Sequence, residues 1–206
     1  MQNSTAVISW FNGLPCTERS RFLTFDIVDF YPSITEDPLE NSINYAKQWV
    51  DINEETIAVI KHCRKSLLFS REGAWIKKCG SLFDVTMGSF DGAEVCEMVG
   101  LFLLHYLEKL VGSTNIGLYR DDGLAIVDAS GPELERLRKK IIKLFYHHGL
   151  KVTTNVNLTQ TDFLDVTFNL QSGKYWPFRK PKQPTSLHTP SVKPSTSYQE
   201  AITINA

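Results

Sequence analysis

The sequence predicts an α+β fold built around an antiparallel sheet. Three features point there. The order of elements is strand, two helices, hairpin, long helix, hairpin, helix, then strands, which lacks the regular alternation of a doubly wound parallel fold. Residues 115–127 set two β-prone runs around Asp121-Asp122-Gly123, a hairpin signal because Asp-Gly suits a turn with positive φ. Residues 91–110 are apolar almost all round, the pattern of a central buried helix.

Bulk properties narrow the class. At 206 residues the chain is one domain, or one plus a tail, and 42% hydrophobic residues suffice for a core. The net charge of −1 lacks the basic footprint usual for nucleic-acid binders, so any basic groove must be local or lie on a piece this chain lacks. Cys16, Cys63, Cys79 and Cys96 contain no Cys-x-x-Cys pair, which is no zinc pattern and suits a reducing compartment. Residues 1–13 show no secretory signal, and the longest apolar run, 99–104, is far short of a membrane span. The expectation is a soluble intracellular protein with no membrane partner; cytoplasm and nucleus are not distinguished, and oligomeric state is open.

Residues 1–20 open without a start signal, as the end of something longer, with one short strand or helix turn at 6–11. Residues 22–31 read as a buried strand, broken by Asp26 near its end. A carboxylate there needs a partner, a metal or a capping role. Asp29 poses the same choice more weakly. Asp37-Pro38-Leu39-Glu40 reads as a helix start, with Asp37 as cap and Pro38 at the first position; Leu39, Ile43, Ala46 and Val50 follow at helical spacing. A second helix begins near Asn53 and runs through Ile57, Ile60 and Leu67, with Lys61, Arg64 and Lys65 as its wet face. Residues 67–70 and 74–78 form a hairpin about Arg71-Glu72-Gly73.

Thr86-Met87-Gly88-Ser89 leads into the apolar helix, and Gly88 permits close approach of backbone or ligand. Ser130-Gly131-Pro132-Glu133 is a capping box. Leu134, Leu137, Ile141 and Phe145 are the buried stripe of that helix, and Gly149 ends it. Its Arg136, Arg138, Lys139, Lys140 and Lys143 read as a solvated face. Residues 150–154 and 163–170 read as strands. Residues 180–206, rich in Pro, Ser, Thr and Lys, read as extended or disordered.

Asp26, Asp121 and Asp122 stand out. If their strands are neighbours, three carboxylates meet at one sheet edge and hold two divalent cations about 3.5–4 Å apart, the arrangement for in-line phosphoryl transfer. The alternative is a solvated surface turn.

The sequence resembles the palm domain of a reverse transcriptase over about residues 22–181. Phe25-Asp26-Ile27-Val28-Asp29-Phe30-Tyr31 resembles motif A, Thr86-Met87-Gly88-Ser89 motif B, and Tyr119-Arg120-Asp121-Asp122 the Tyr-x-Asp-Asp of motif C. Residues 144–151 resemble motif D. Phe163-Leu164-Asp165-Val166 and residues 173–181 resemble the motif-E region of Penelope-like retroelement polymerases.

The resemblance implies an RNA-directed DNA polymerase of a retroelement. Its partners would be an RNA or DNA template-primer and deoxynucleoside triphosphates, and its cofactors two Mg²⁺ or Mn²⁺ ions. Asp26, Asp121 and Asp122 would be catalytic, binding metal together with the Ile27 carbonyl. Phe30, Tyr31, Gly88 and Lys151 would face the nucleotide. Tyr31 would exclude the ribose 2′-hydroxyl, the alternative being an ordinary buried aromatic; Lys151 is read first as a plain surface lysine and otherwise as a proton donor to pyrophosphate; and Arg120 would approach the primer end.

The implied division is a remnant at 1–20 with the fingers largely absent, the palm at 21–160, motif-E-like strands at 161–179 and the tail at 180–206. Met87 departs from the Gln usual before the glycine, and no helical thumb is read. Three rivals share parts of the pattern: an RNA-directed RNA polymerase, a two-metal nuclease, and an inactive retroelement-derived binding or interaction module.

Overall fold

The computed structural model describes residues 3–65, 67–76 and 83–179. Its first strand, β1 (Ser20–Ile27), lies inside an antiparallel four-stranded sheet. On one side β1 pairs with β5 (Asp122–Asp128), which pairs in turn with β4 (Ile116–Tyr119). On the other side it pairs with β6 (Val152–Leu158), where a bulge shifts the register and Asn157 takes φ +62°.

Side chains alternate across a strand, so β1 feeds two cores. Leu23, Phe25 and Ile27 enter the main core. They meet helices α3 (Glu36–Ala46), α5 (Gly92–Val111) and α6 (Gly131–His147) there; Leu39, Leu103 and Phe145 are among the residues fully buried. Phe22 faces the other way. With Leu124 and Ile126 it packs against Val7 and Phe11 of α1 (Ser4–Gly13) and Phe168 of a small second sheet. That sheet is β7 (Gln160–Phe163), β8 (Val166–Asn169) and β9 (Lys174–Pro177).

Three shorter elements complete the described chain. They are α2 (Phe30–Ser33), α4 (Glu54–Cys63) and the hairpin of β2 (Leu67–Ser70) with β3 (Gly73–Ile76). Surface ion pairs of Lys61 with Glu36 and Glu40, and of Lys47 with Glu54, tie α4 to the α3 region.

Several expectations need correction. Residues 4–13 are a full helix, capped by the Asn3 side chain accepting from the Ala6 amide at 2.9 Å. α3 starts at Glu36 with Thr35 as its cap, so Asp37 lies within the first turn, and Val50 is exposed beyond the helix end. Strand β1 ends at Ile27; Asp29 turns the chain at φ +50° into α2. The run 163–170 is no single strand: Leu164 and Asp165, both at positive φ, form a two-residue turn between β7 and β8. Arg64 is no wet residue either. It is 5% exposed and ion-paired with Asp91 at the start of α5.

α5 is central along one face only. Val95, Cys96, Val99 and Leu103 are buried, whereas Leu101, Tyr106 and Leu110 are exposed. The capping box of Ser130 and Glu133 and the arrest at Gly149, φ +72°, occur as expected. The tail expected at 180–206 and the far end of the expected 74–78 strand lie outside the described residues.

Candidate carboxylate site at the sheet edge

Backbone pairing brings the three acids together. Asp26, the penultimate residue of β1, is the direct ladder partner of Asp122, the first residue of β5. Asp121 precedes it in a two-residue turn, Arg120-Asp121, closed by the pairing of Tyr119 with Asp122. The Ile27 amide donates to the Asp121 carbonyl at 2.9 Å, and the Val28 amide to the Lys151 carbonyl at 3.0 Å. The turn is thus fastened to the end of β1, and Lys151 is held beside it on the β6 side.

The positive φ expected at Asp-Gly is carried instead by Arg120, at +54°. Gly123 is a strand residue opposite Phe25, where a Cβ would overlap the Phe25 ring. Its smallness serves packing rather than turning.

Asp26 and Asp122 share the sheet face that α1 and the second sheet cover only at its other end. Both side chains are exposed, as is Thr153, the β6 partner of Asp26. The buried carboxylate expected from the sequence is therefore an open one. The carboxyl of Asp26 is held above its ordinary range, first by partial desolvation and then by repulsion from Asp121. Asp122 is raised likewise, by desolvation and then by Asp121 and Asp26. The three charges therefore sense one another. Among the described residues, however, no three His, Cys, Asp or Glu side chains converge as a bound ion requires.

The remaining sequence candidates separate. Tyr31 is half-buried and lies near Cys96, Arg120 and Asp121, which act on its hydroxyl electrostatically; desolvation first, then Cys96, raises it above its ordinary range. Phe30 is buried in the main core. Gly88 is exposed at φ +87° with open space around it, so backbone conformation alone calls for glycine there. Lys151 is exposed. Arg120 is exposed and lies over the Tyr119 ring, 5.5 Å from its centroid.

Cys96 escaped the sequence reading. Burial, then the charge of Asp121, pushes its thiol up to about 12. Its only sequence signal is a place on the apolar stripe of α5, which marks core and nothing more. Arg64 also escaped, because its partner Asp91 is 27 residues away.

No protein-family model matches the chain, and no curated protein matches its sequence. Solved structures do match. The chain is similar to apo telomerase from Candida tropicalis, with TM-score 0.63 and 15% identity, covering 86% of this chain and 37% of that one. Telomerase from Candida albicans, solved with a TWJ fragment of telomeric RNA, gives 0.61 and 13%, covering 86% and 34%. The equivalent Candida tropicalis complex gives 0.60 and 14%, covering 89% and 35%. The fold is reverse-transcriptase-like. The chain spans about a third of the length of these proteins.

Proposed function

We propose that this chain is the palm of a retroelement reverse transcriptase, adding deoxynucleotides to a primer 3′-hydroxyl. The observation that carries this reading is the register: Asp26 opposite Asp122, with Asp121 at the adjoining turn, in a sheet whose fold is like that of telomerase. A retroelement origin, Penelope-like or related, rests on the motif resemblance.

The donor set suits the implied metals. It is all oxygen, three carboxylates and a carbonyl, the preference of Mg²⁺ and Mn²⁺, and the repulsion among the carboxylates is the cost that a divalent cation removes. Asp26, Asp121, Asp122 and the Ile27 carbonyl would hold the ions, with the exposed carboxylates rotating inward to reach them. The ions would supply activation of the primer hydroxyl and neutralisation of the leaving pyrophosphate.

The chain's own residues do the rest. Tyr31, half-buried near Asp121, would present its ring where a ribose 2′-hydroxyl would collide with it. The open space over Gly88 admits the incoming nucleotide and templating base. Lys151, whose carbonyl accepts from the Val28 amide just past β1, would protonate the leaving group.

A second reading, an inactive retroelement-derived binding module, is favoured by the unconverged carboxylates. Primer extension on an RNA template with deoxynucleotides and Mg²⁺ or Mn²⁺ separates the two. Extension by the wild type, lost in Asp121→Asn/Asp122→Asn, supports the polymerase. No extension, with Mg²⁺ binding by calorimetry that Asp121→Asn abolishes, supports the module with an intact metal site. Mg²⁺ binding unchanged in Asp121→Asn overturns the metal assignment.

A further inference from the structure

The outer face of α6 lies on the far side of the sheet from the acids. Phe145 and Ile141 turn into the main core, and Phe145 meets the Phe25 ring at 5.5 Å between centroids. Asp26 and Asp122 occupy the opposite sheet face. At 100° per residue, Lys139, Lys143, Tyr146, His147 and Lys140 fall within about 120° of one another, diametrically opposite that buried stripe. All five are exposed, and Tyr146 is 79% exposed.

Four features distinguish this face from an ordinary solvated one. None of the three lysines is ion-paired with a described residue, whereas Lys47, Lys61 and Arg138 are. Lys139 and Lys143 are an i, i+4 like-charge pair, a repulsion that a polyanion relieves. A large aromatic ring, Tyr146, stands in water one turn beyond Lys143, where burial offers it nothing. Tyr146 and His147 also line a groove of about 1010 Å³ between α6 and α3, whose lining includes Lys151. The facing wall carries Asn41 and Asn44 of α3 and Gln48 just beyond its end, together with Asp37 and with Glu40, which is ion-paired with Lys61. Amide side chains there can meet base edges by hydrogen bonding, while Tyr146 and His147 offer stacking surfaces.

We propose that the outer face of α6 and the adjoining groove bind single-stranded nucleic acid, separately from the carboxylate edge. Phosphates lie along Lys139, Lys140 and Lys143, and unpaired bases stack on Tyr146 and His147. Duplex is disfavoured because its bases are already stacked and cannot reach the ring. The chain's net charge of −1 is no obstacle, since the basic stripe is local, Asp26 and Asp122 lie on the other sheet face, and Glu40 of the groove wall is neutralised by Lys61; phosphates therefore follow the lysines of α6 rather than the α3 wall near Asp37.

The test is fluorescence anisotropy of the whole chain with labelled 12-nucleotide oligo(U) and oligo(dT), beside a labelled duplex, over a salt series. The expected result is single-strand binding tighter than duplex binding. Lys139→Glu/Lys143→Glu weakens it at least tenfold, and Lys139→Gln/Lys143→Gln lowers the slope of log K against log salt by about 0.7 per lysine. Tyr146→Ala weakens binding about fivefold or more and leaves that slope unchanged. Binding survives in Asp121→Asn/Asp122→Asn, so a failed polymerase reading leaves this one standing. Equal affinity for oligo(U) and oligo(dT) assigns the site to backbone and base; preference for oligo(U) adds a 2′-hydroxyl contact. Absent binding, affinity unchanged in both the lysine and tyrosine variants, or loss only in the aspartate variant overturns the proposal. The Lys139, Lys143 and Tyr146 side chains are exposed, so unchanged thermal unfolding is the folding control for those variants.

Discussion

The ring of Phe25 lies over the backbone of Gly123 across the β1–β5 ladder, filling the place of a side chain there. The contact sits one pair inward from Asp26 and Asp122, so it sets how closely the two strands approach at the carboxylate edge. Gly123→Ala is expected to destabilise the fold by about 1–3 kcal/mol through overpacking. Denaturant unfolding measures this, and a double-mutant cycle with Phe25→Leu should recover part of the loss. A variant as stable as the wild type would show that the ring moves freely aside.

Asp122 has a pH signature. Its carboxyl is raised by desolvation and then by Asp121 and Asp26. The folded state therefore holds that proton more tightly than the unfolded chain. Between the unfolded value, about 3.9, and the higher folded value, stability falls as pH rises. Asp122→Asn should thus be more stable than wild type at pH 7, with the difference closing below about pH 4. Solvent screens this exposed group, so the gain is about 1–3 °C in Tm and shrinks with salt. Thermal melts across pH and salt check it; a loss of Tm at pH 7 would contradict it.

Arg64 and Asp91 join the end of α4 to the start of α5. Arg64 is buried, and its Nε has no partner among the described residues. Asp91 makes no capping hydrogen bond with its side chain, so its value lies in the ion pair. Asp91→Ala should cost about 2–3 kcal/mol by stranding a buried guanidinium. Replacing both residues, as Arg64→Met/Asp91→Ala, should cost less than Asp91→Ala alone.

The β7–β8 turn should be improvable. Asp165 sits at φ +62°, and its carbonyl accepts from the Phe178 amide at 2.8 Å, a bond that glycine keeps. Asp165→Gly should stabilise by about 0.5–1 kcal/mol through relief of the left-handed conformation. Leu164→Gly should not, because Leu164 also packs against the second core. Urea midpoints of the two variants make the comparison.

Tyr31→Ala, on the polymerase reading, should raise use of ribonucleotides relative to deoxynucleotides by about 10- to 100-fold. Competitive incorporation assays measure the ratio. Equal use of both sugars by the wild type would remove the gate assignment.

Elements with strong local codes were legible in the sequence. The capping box at Ser130, the apolar stripe of α6 and the helix start near Asn53 reappear where their residues predict them. Local codes failed where tertiary contacts dominate. Leu164-Asp165 carries no glycine or asparagine to announce its turn, and the β-prone residues around it concealed the break. Gly123 reads as a turn glycine until Phe25, 98 positions away, is seen above it. Arg64 looks like any helix-surface cation because nothing near it in sequence discloses Asp91.

By itself the sequence determined the α+β class, the principal helices and the identity of the three acids, since periodicity, caps and residue chemistry are properties of short stretches. Only the tertiary structure decided that Asp26 pairs with Asp122, that these acids face solvent, and that the basic face of α6 lies behind them. Each of those is a matter of strand register and of which sheet face another element covers. Register and coverage arise from contacts between segments distant in the chain, which no short stretch encodes.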